Sequence, residues 1–327
     1  MSKELILNSS IADEIRGFID EKHSMGFKYA GQTDIMRRFD VYWLTNDFPR
    51  TGLTPENLEN WCMNRETEGA GSLATRLSVI RQFGKYLNGI GLSSYIIPIK
   101  VKYIPPLPHI FTKPEIESLF TQIDAYKSTS RSSTARRIAN EYPILFRLIY
   151  LNGLRLMEAC HLAVSEINFQ KGIITILDGK GNKDRLVYLS EDMRLLCIDY
   201  FRYLCDVIGE EPKWFFPGKK LNAQDPIGGS AVDSMFNVFW AQTSFSDVCS
   251  IKPTVHSLRH TFVVERINRW MAQGLNFDQM LPYLSKFLGH KTFAETYYYY
   301  HYAEDAARTI HQMDTTVDKV IPEVMRR

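Results

Sequence analysis

With 327 residues, the chain is long enough for two domains, each able to bury its own core. Apolar residues make up 45% and charged residues 23%, the balance of a globular protein and not of a disordered one. A formal net charge of +2 provides no basic tail, so any binding of a polyanion must come from clustered Lys and Arg.

The N-terminus, Met-Ser-Lys-Glu, lacks the basic-then-apolar pattern of a secretory signal. No apolar run approaches the ~18 to 20 residues that a membrane span needs. Cys62, Cys160, Cys197, Cys205 and Cys249 are odd in number and scattered, without a C-x-x-C pair. That pattern fits reduced, mostly buried thiols and neither a disulfide frame nor a zinc site. The expectation is a soluble cytoplasmic protein with no membrane partner.

The first hundred residues read as helical, with apolar residues at three- and four-residue steps over 11–27, 34–45 and 55–64. Thr54-Pro55-Glu56 is a helix start, with a capping hydroxyl followed by Pro at the first helical position. A fourth helix over 72–87 places Leu73, Leu77, Ile80 and Leu87 on one face, with Arg76, Arg81 and Lys85 off that stripe. Pro105, Pro106 and Pro108 then interrupt any helix, which makes 105–110 a linker between a domain at 1–104 and another at 111–327. Lys100 and Lys102 make its approach basic.

Thr112-Lys113-Pro114-Glu115 opens the second domain with a capping-box pattern. An apolar helix over 142–152 ends at Gly153. Two short β-branched runs, 173–177 and 185–189, flank Asp178-Gly-Lys-Gly-Asn-Lys-Asp184 and read as a hairpin. Helical patterns resume after Ser190 and after Pro253. A tail helix over about 303–320 shows Ala306, Ile310, Met313 and Val317 at helical spacing and needs a surface to lie on. The fold class is mainly α, with a small β-hairpin in the second domain.

Several cationic and nucleophilic groups fall in this second domain. Arg155 and Glu158 stand at i, i+3, a spacing that by itself indicates an ordinary surface ion pair. Lys180 sits at a Gly-flanked hairpin tip, where a solvated turn lysine is the usual finding; no P-loop pattern is present. His256 and Arg259 share one helix face. His256 and His260 are four apart and could pair on a metal, but Arg259 between them would repel a divalent ion. His260 is equally a packed helix histidine. His290 follows Leu288-Gly289, and nine residues later comes Tyr299, within the run Tyr297 to Tyr300. On chemistry alone, Tyr298 or Tyr300 would serve as a nucleophile as well as Tyr299. Two Arg, a Lys, two His and a Tyr suit a phosphodiester better than a carbonyl or a sugar.

This order of motifs resembles the tyrosine recombinase (phage integrase) family. Its members carry an Arg in a T-G-L-R-x-x-E helix, a Lys in a G-K-G-x-K-x-R hairpin, an H-x-L-R-H box, an L-G-H box, and a Tyr nine residues after that last His. The matching positions are Arg155, Glu158, Lys180, His256, Arg259, His290 and Tyr299. Specific motifs cover roughly residues 108–302, and the first hundred residues match more loosely. Asn152 stands where Thr is common, and Tyr188 where Pro is common.

The resemblance implies a helical, SAM-like core-binding domain that clamps DNA together with the catalytic domain. It implies catalysis by Arg155, Lys180, His256, Arg259, His290 and the nucleophile Tyr299, with Glu158 supporting Arg155 and with no metal or other cofactor. DNA-backbone contacts are expected from Arg76, Arg81, Lys85, Lys100, Lys102, Lys183 and Arg185. The implied partner is double-stranded DNA carrying recombination sites, on the nucleoid. The implied assembly is a homotetramer that exchanges its C-terminal helix in trans, with accessory or partner recombinases in some systems. The expected activity is integration, excision or transposition of a mobile element. Two alternatives are DNA relaxation in the manner of a type IB topoisomerase and a catalytically inactive DNA-binding accessory protein.

Overall fold

The computed structural model describes residues 5–98, 101, 107–179, 183–219 and 224–302. The chain divides into two compact units, Met1–Pro106 and Leu107–Arg327. The expected tail helix, Lys100, Lys102 and Lys180 all lie outside the described residues.

Among the described residues, the first unit holds four helices: α1 (Ala12–Ser24), α2 (Ala30–Thr45), α3 (Pro55–Cys62) and α4 (Ala70–Gly89). The Thr54 hydroxyl accepts from the Asn57 amide at 3.2 Å, and Asn57 Oδ1 accepts from the Thr54 amide at 2.9 Å, so the capping reading of α3 holds. The apolar stripes converge on a core of Ile15, Phe18, Phe39, Trp43, Trp61, Ile80, Phe83 and Leu87. Removal of these rings and branched chains from water is the main stabilising term.

Arg76 departs from the sequence expectation. It is only 2% exposed. Its guanidinium donates to Glu68 and to the carbonyls of Trp61 and Met63, and it lies over the Trp61 ring. A guanidinium whose donors are taken up inside the unit is not a surface cation, so Arg76 ties α4 to the end of α3. Arg81 is partly exposed and Lys85 is exposed.

The second unit contains α5 (Lys113–Ala125), α6 (Ser133–Asn152), α7 (Leu156–Cys160), α8 (Glu191–Ile208), α9 (Gly229–Ala241), α10 (Val255–Ala272), α11 (Phe277–Leu288) and α12 (Phe293–Tyr297). A 3₁₀ turn follows α12 over Tyr298–Tyr302. At the start of α5, the Glu115 carboxylate accepts from the Thr112 amide at 2.7 Å, the back-reaching half of a capping box. Between α7 and α8 lies an antiparallel sheet, β1 (Ile167–Asn168), β2 (Ile173–Gly179) and β3 (Lys183–Tyr188), in that order. Ile173 pairs with Tyr188 and Ile176 with Arg185.

Strand alternation places Ile174, Ile176, Arg185 and Val187 on the buried face, and Leu177, Leu186 and Tyr188 on the exposed one. Ile174, Ile176 and Val187 belong to one core cluster with Leu119, Leu145, Phe146, Phe215, Phe216, Phe236 and Phe239. A smaller cluster, Phe262, Val263, Ile267, Leu284, Leu288 and Tyr299, joins α10, α11 and the final turn. The five cysteines are all free; Cys160 and Cys197 are buried, while Cys62, Cys205 and Cys249 are partly exposed. Among the described residues, no helix is long and apolar enough to cross a membrane.

Candidate active site

Helix α6 stops at Gly153, which has φ of 62°. A side chain there would be strained by that backbone and would meet the Phe262 ring at 2.7 Å. The sharp turn delivers Arg155 as the N-cap of α7, and Glu158 three residues on reaches back to the Arg155 amide at 2.8 Å. The same carboxylate accepts from Arg155 Nη1 at 2.6 Å. Arg155 Nη2 donates to the Gly289 carbonyl at 2.8 Å.

Glu158 has a second cationic partner. Arg185 donates to both of its oxygens, at 2.8 and 2.6 Å, and through Nε to the Phe287 carbonyl at 2.8 Å. Burial by itself would raise the Glu158 pKa, but the hydrogen bonds and charges of Arg185 and Arg155 overcome it and bring it to about 2. By its sequence context Arg185 is expected on the DNA backbone. It is instead 6% exposed and engaged inside the unit, so it braces the carboxylate that orients Arg155. The signal was present in the strand period: Arg185 is two residues from Val187 and shares its inward face.

Arg259 comes from the first turns of α10, which start after Thr254; the Thr254 amide donates to Ser257 Oγ at 3.0 Å. It is 1% exposed. It donates to the Gly153 carbonyl and, at 2.8 Å, to the Leu288 carbonyl, and its Nη2 stands 3.2 Å from His290 Nε2. Burial first, and the neighbouring Arg155 next, lower its pKa to about 9, which still leaves it cationic at neutral pH. His290 Nδ1 contacts Thr296 Oγ1 at 2.7 Å, which fixes the ring plane. Gly289, with φ of 64°, ends α11, and a Cβ there would lie 3.1 Å from Arg185 Nη1. The Leu-Gly-His motif therefore needs its glycine for the turn and for close passage of two guanidiniums.

Of the four consecutive tyrosines, Tyr299 is buried at 5% exposure, with its hydroxyl 2.7 Å from His260 Nδ1. Tyr297 and Tyr300 stack near Phe277, and the Tyr298 hydroxyl contacts that of Tyr302 at 2.9 Å. Arg155, His256, Arg259, His290, Glu295, Tyr298 and Tyr299 line one cavity of about 590 Å³. Five of the residues expected from the sequence thus come together, with Glu158 directly behind them. Neither Glu295 nor His260 has an assigned role in the sequence motifs, although the four-residue step from His256 to His260 places both rings on one helix face.

His256 and His260 do form a ring pair, centroids 4.5 Å apart. Among the described residues, however, the grouping with metal-ligand spacing is His109, Glu115 and Cys249, which shares no member with this cavity. Asn152 and Tyr188, the two departures from the family pattern, touch each other: Asn152 Nδ2 donates to the Tyr188 carbonyl at 3.0 Å.

The sequence profile of the phage integrase family matches residues 110–305, which include this whole cavity. The chain belongs to the phage integrase family. Relatives of this integrase-family chain include tyrosine recombinase XerD of Yersinia pestis, 27% identical over 281 residues, with 83% of this chain and 86% of that one covered. Tyrosine recombinase XerA of Pyrococcus horikoshii is 24% identical over 299 residues, with 91% and 90% covered. Among solved structures, XerH site-specific recombinase bound to difH substrate in a pre-cleavage complex shares the fold at a TM-score of 0.61. It is 15% identical, and the match covers 94% of this chain and 85% of that one.

Proposed function

We propose that this protein is a site-specific DNA recombinase that cuts and rejoins strands through a 3′-phosphotyrosine, without a metal or a high-energy cofactor. The observation that carries the reading is the convergence of Arg155, His256, Arg259, His290 and Tyr299 on one cavity. Two guanidiniums there neutralise the non-bridging oxygens of a phosphodiester, and His290 adds a hydrogen bond as charge grows in the transition state. Tyr299 attacks phosphorus and releases the 5′ oxygen, its own proton passing to His256. Lys180, outside the described residues, is the proposed donor to that leaving oxygen. The phosphotyrosine keeps the bond energy for rejoining, so no nucleotide is consumed.

Solved neighbours of similar fold were captured on DNA, among them the Tn1549 transposon integrase in complex with a circular intermediate DNA. This supports duplex DNA as the partner. In the first unit, a groove of about 880 Å³ between α2 and α4 is lined by Arg38, Thr75 and Gln82 among others; with Arg81 and Lys85 nearby on α4, it is the proposed DNA-facing side of that unit. Lys183 at the start of β3, with Lys100 and Lys102, belongs to the same proposal of backbone contacts. A tetramer on two sites, with the C-terminal tail exchanged between subunits, and service to a mobile element complete the reading.

The test begins by selecting bound sequences from a randomised duplex library. A nicked duplex of the selected sequence is then incubated with the protein. A covalent protein–DNA adduct is expected, as is strand exchange between two duplexes. Binding without an adduct would identify an inactive accessory protein, and relaxation of supercoils without exchange would identify a topoisomerase.

A further inference from the structure

His260 lies four residues beyond His256 on α10, and its Nδ1 is 2.7 Å from the Tyr299 hydroxyl oxygen. At that length the contact is a hydrogen bond, and one partner must supply the hydrogen. Arg155 and Arg259, which face the same cavity, are donors only and cannot accept the phenol's hydrogen. His260 is mostly enclosed, and burial, with His256 and Arg259 beside it, lowers its pKa to about 3. Burial raises that of Tyr299 to about 12. Through the neutral range both groups are therefore uncharged, with a hydrogen on the phenol and one bare nitrogen on the imidazole.

We propose that His260 is the positioning residue of the nucleophile: its bare Nδ1 accepts the Tyr299 hydroxyl hydrogen and pins the phenol oxygen beside Arg155, Arg259 and His290. The inference rests on the reading of Tyr299 as the nucleophile and adds the group that holds it. The two histidines of α10 then divide the work. His260 is too weak a base to keep the proton and fixes the oxygen's place before DNA arrives. Final acceptance of the proton belongs to His256, whose ring meets that of His260 edge to face. The tautomer follows as well, with the ring proton of His260 on Nε2.

Two measurements test this. Long-range ¹H–¹⁵N spectra of the full chain, with histidine labelled and His260 assigned by its loss in His260→Leu, read the tautomer directly and need no DNA. An unprotonated Nδ1 whose resonance moves in Tyr299→Phe is expected; a protonated Nδ1 overturns the proposal. The second measurement is the rate of adduct formation at saturating nicked duplex of the selected sequence. Asn places its amide oxygen near the position of Nδ1, whereas Gln reaches toward that of Nε2. His260→Asn should remain within about tenfold of the parent, and His260→Gln and His260→Leu should fall about a hundredfold with DNA affinity unchanged, the scale of a misplaced reacting atom.

If His260→Leu is as fast as the parent, or His260→Asn is as slow as His260→Leu, positioning through Nδ1 is wrong. If His260→Leu does not fold, the contrast of Asn with Gln decides. If the parent forms no adduct at all, it is the recombinase reading that fails, and the spectra still decide the hydrogen bond.

Discussion

Arg185 grips both oxygens of Glu158, at 2.8 and 2.6 Å, from a strand 27 residues further along the chain. The pair is 4% and 10% exposed, so solvent screens it little. Arg155 depends on the same carboxylate for its own aim. Arg155, the proposed phosphate ligand, is therefore aimed through a carboxylate that a second, buried cation holds in place.

Arg185→Ala should lower stability by about 3–5 kcal/mol in urea titrations, because it leaves a buried carboxylate short of a partner. Glu158 also predicts a pH dependence. Its folded pKa of about 2 lies below the ordinary 4.5, so the stability it contributes is present above about pH 4.5 and is lost as pH falls toward 2. The stability gap between the parent and Glu158→Gln should shrink by on the order of 3 kcal/mol over that interval. A gap independent of pH between 5 and 2 would show that Glu158 is not held ionised.

Arg76 and Lys85 lie on the same helix and should behave oppositely. Arg76→Ala is expected to destabilise the protein by about 3 kcal/mol or more, since it strands Glu68 and two carbonyls. Lys85→Ala should leave the melting temperature unchanged. It should instead reduce the slope of log affinity against log salt by about one. A normal melting temperature with weakened DNA binding in Arg76→Ala would return that residue to the surface role.

The tyrosine run gives a register test. Tyr299→Phe should abolish the covalent adduct and leave DNA binding nearly intact, as only a hydroxyl is removed. Phe at 297, 298 or 300 should each preserve the adduct. Loss of adduct in Tyr298→Phe alone would move the nucleophile by one residue.

Lys180 is tested by its leaving group. A substrate with a 5′-bridging phosphorothiolate expels a thiolate, which needs little proton assistance. Lys180→Ala should be severely slow on normal DNA and largely rescued on the sulfur substrate. Arg155→Ala should lower cleavage by about 10²–10³ on both, because its charge is needed with either leaving group. Equal defects of Lys180→Ala on both substrates would make Lys183 the next candidate for the acid.

Features that repeat at short range are legible in the order of residues alone. Apolar periodicity locates the four described helices of the first unit, and Thr54-Pro55 and Thr112-Lys113-Pro114-Glu115 mark helix starts, because capping is settled within three or four residues. Spaced motifs likewise named Arg155, His256, Arg259, His290 and Tyr299, which the fold brings to one cavity.

Where each polar group finds its partner depends on the folded arrangement. Arg76 and Arg185 read as surface cations, and both are buried, since an ion pair forms with whatever the fold places opposite it, eight residues away for Glu68 and 27 for Glu158. The sequence assigns His260 no chemistry, and it touches the Tyr299 hydroxyl 39 residues on. A helix period reports which face of α10 a histidine occupies; it cannot report that the last turn of the described chain folds back to meet it.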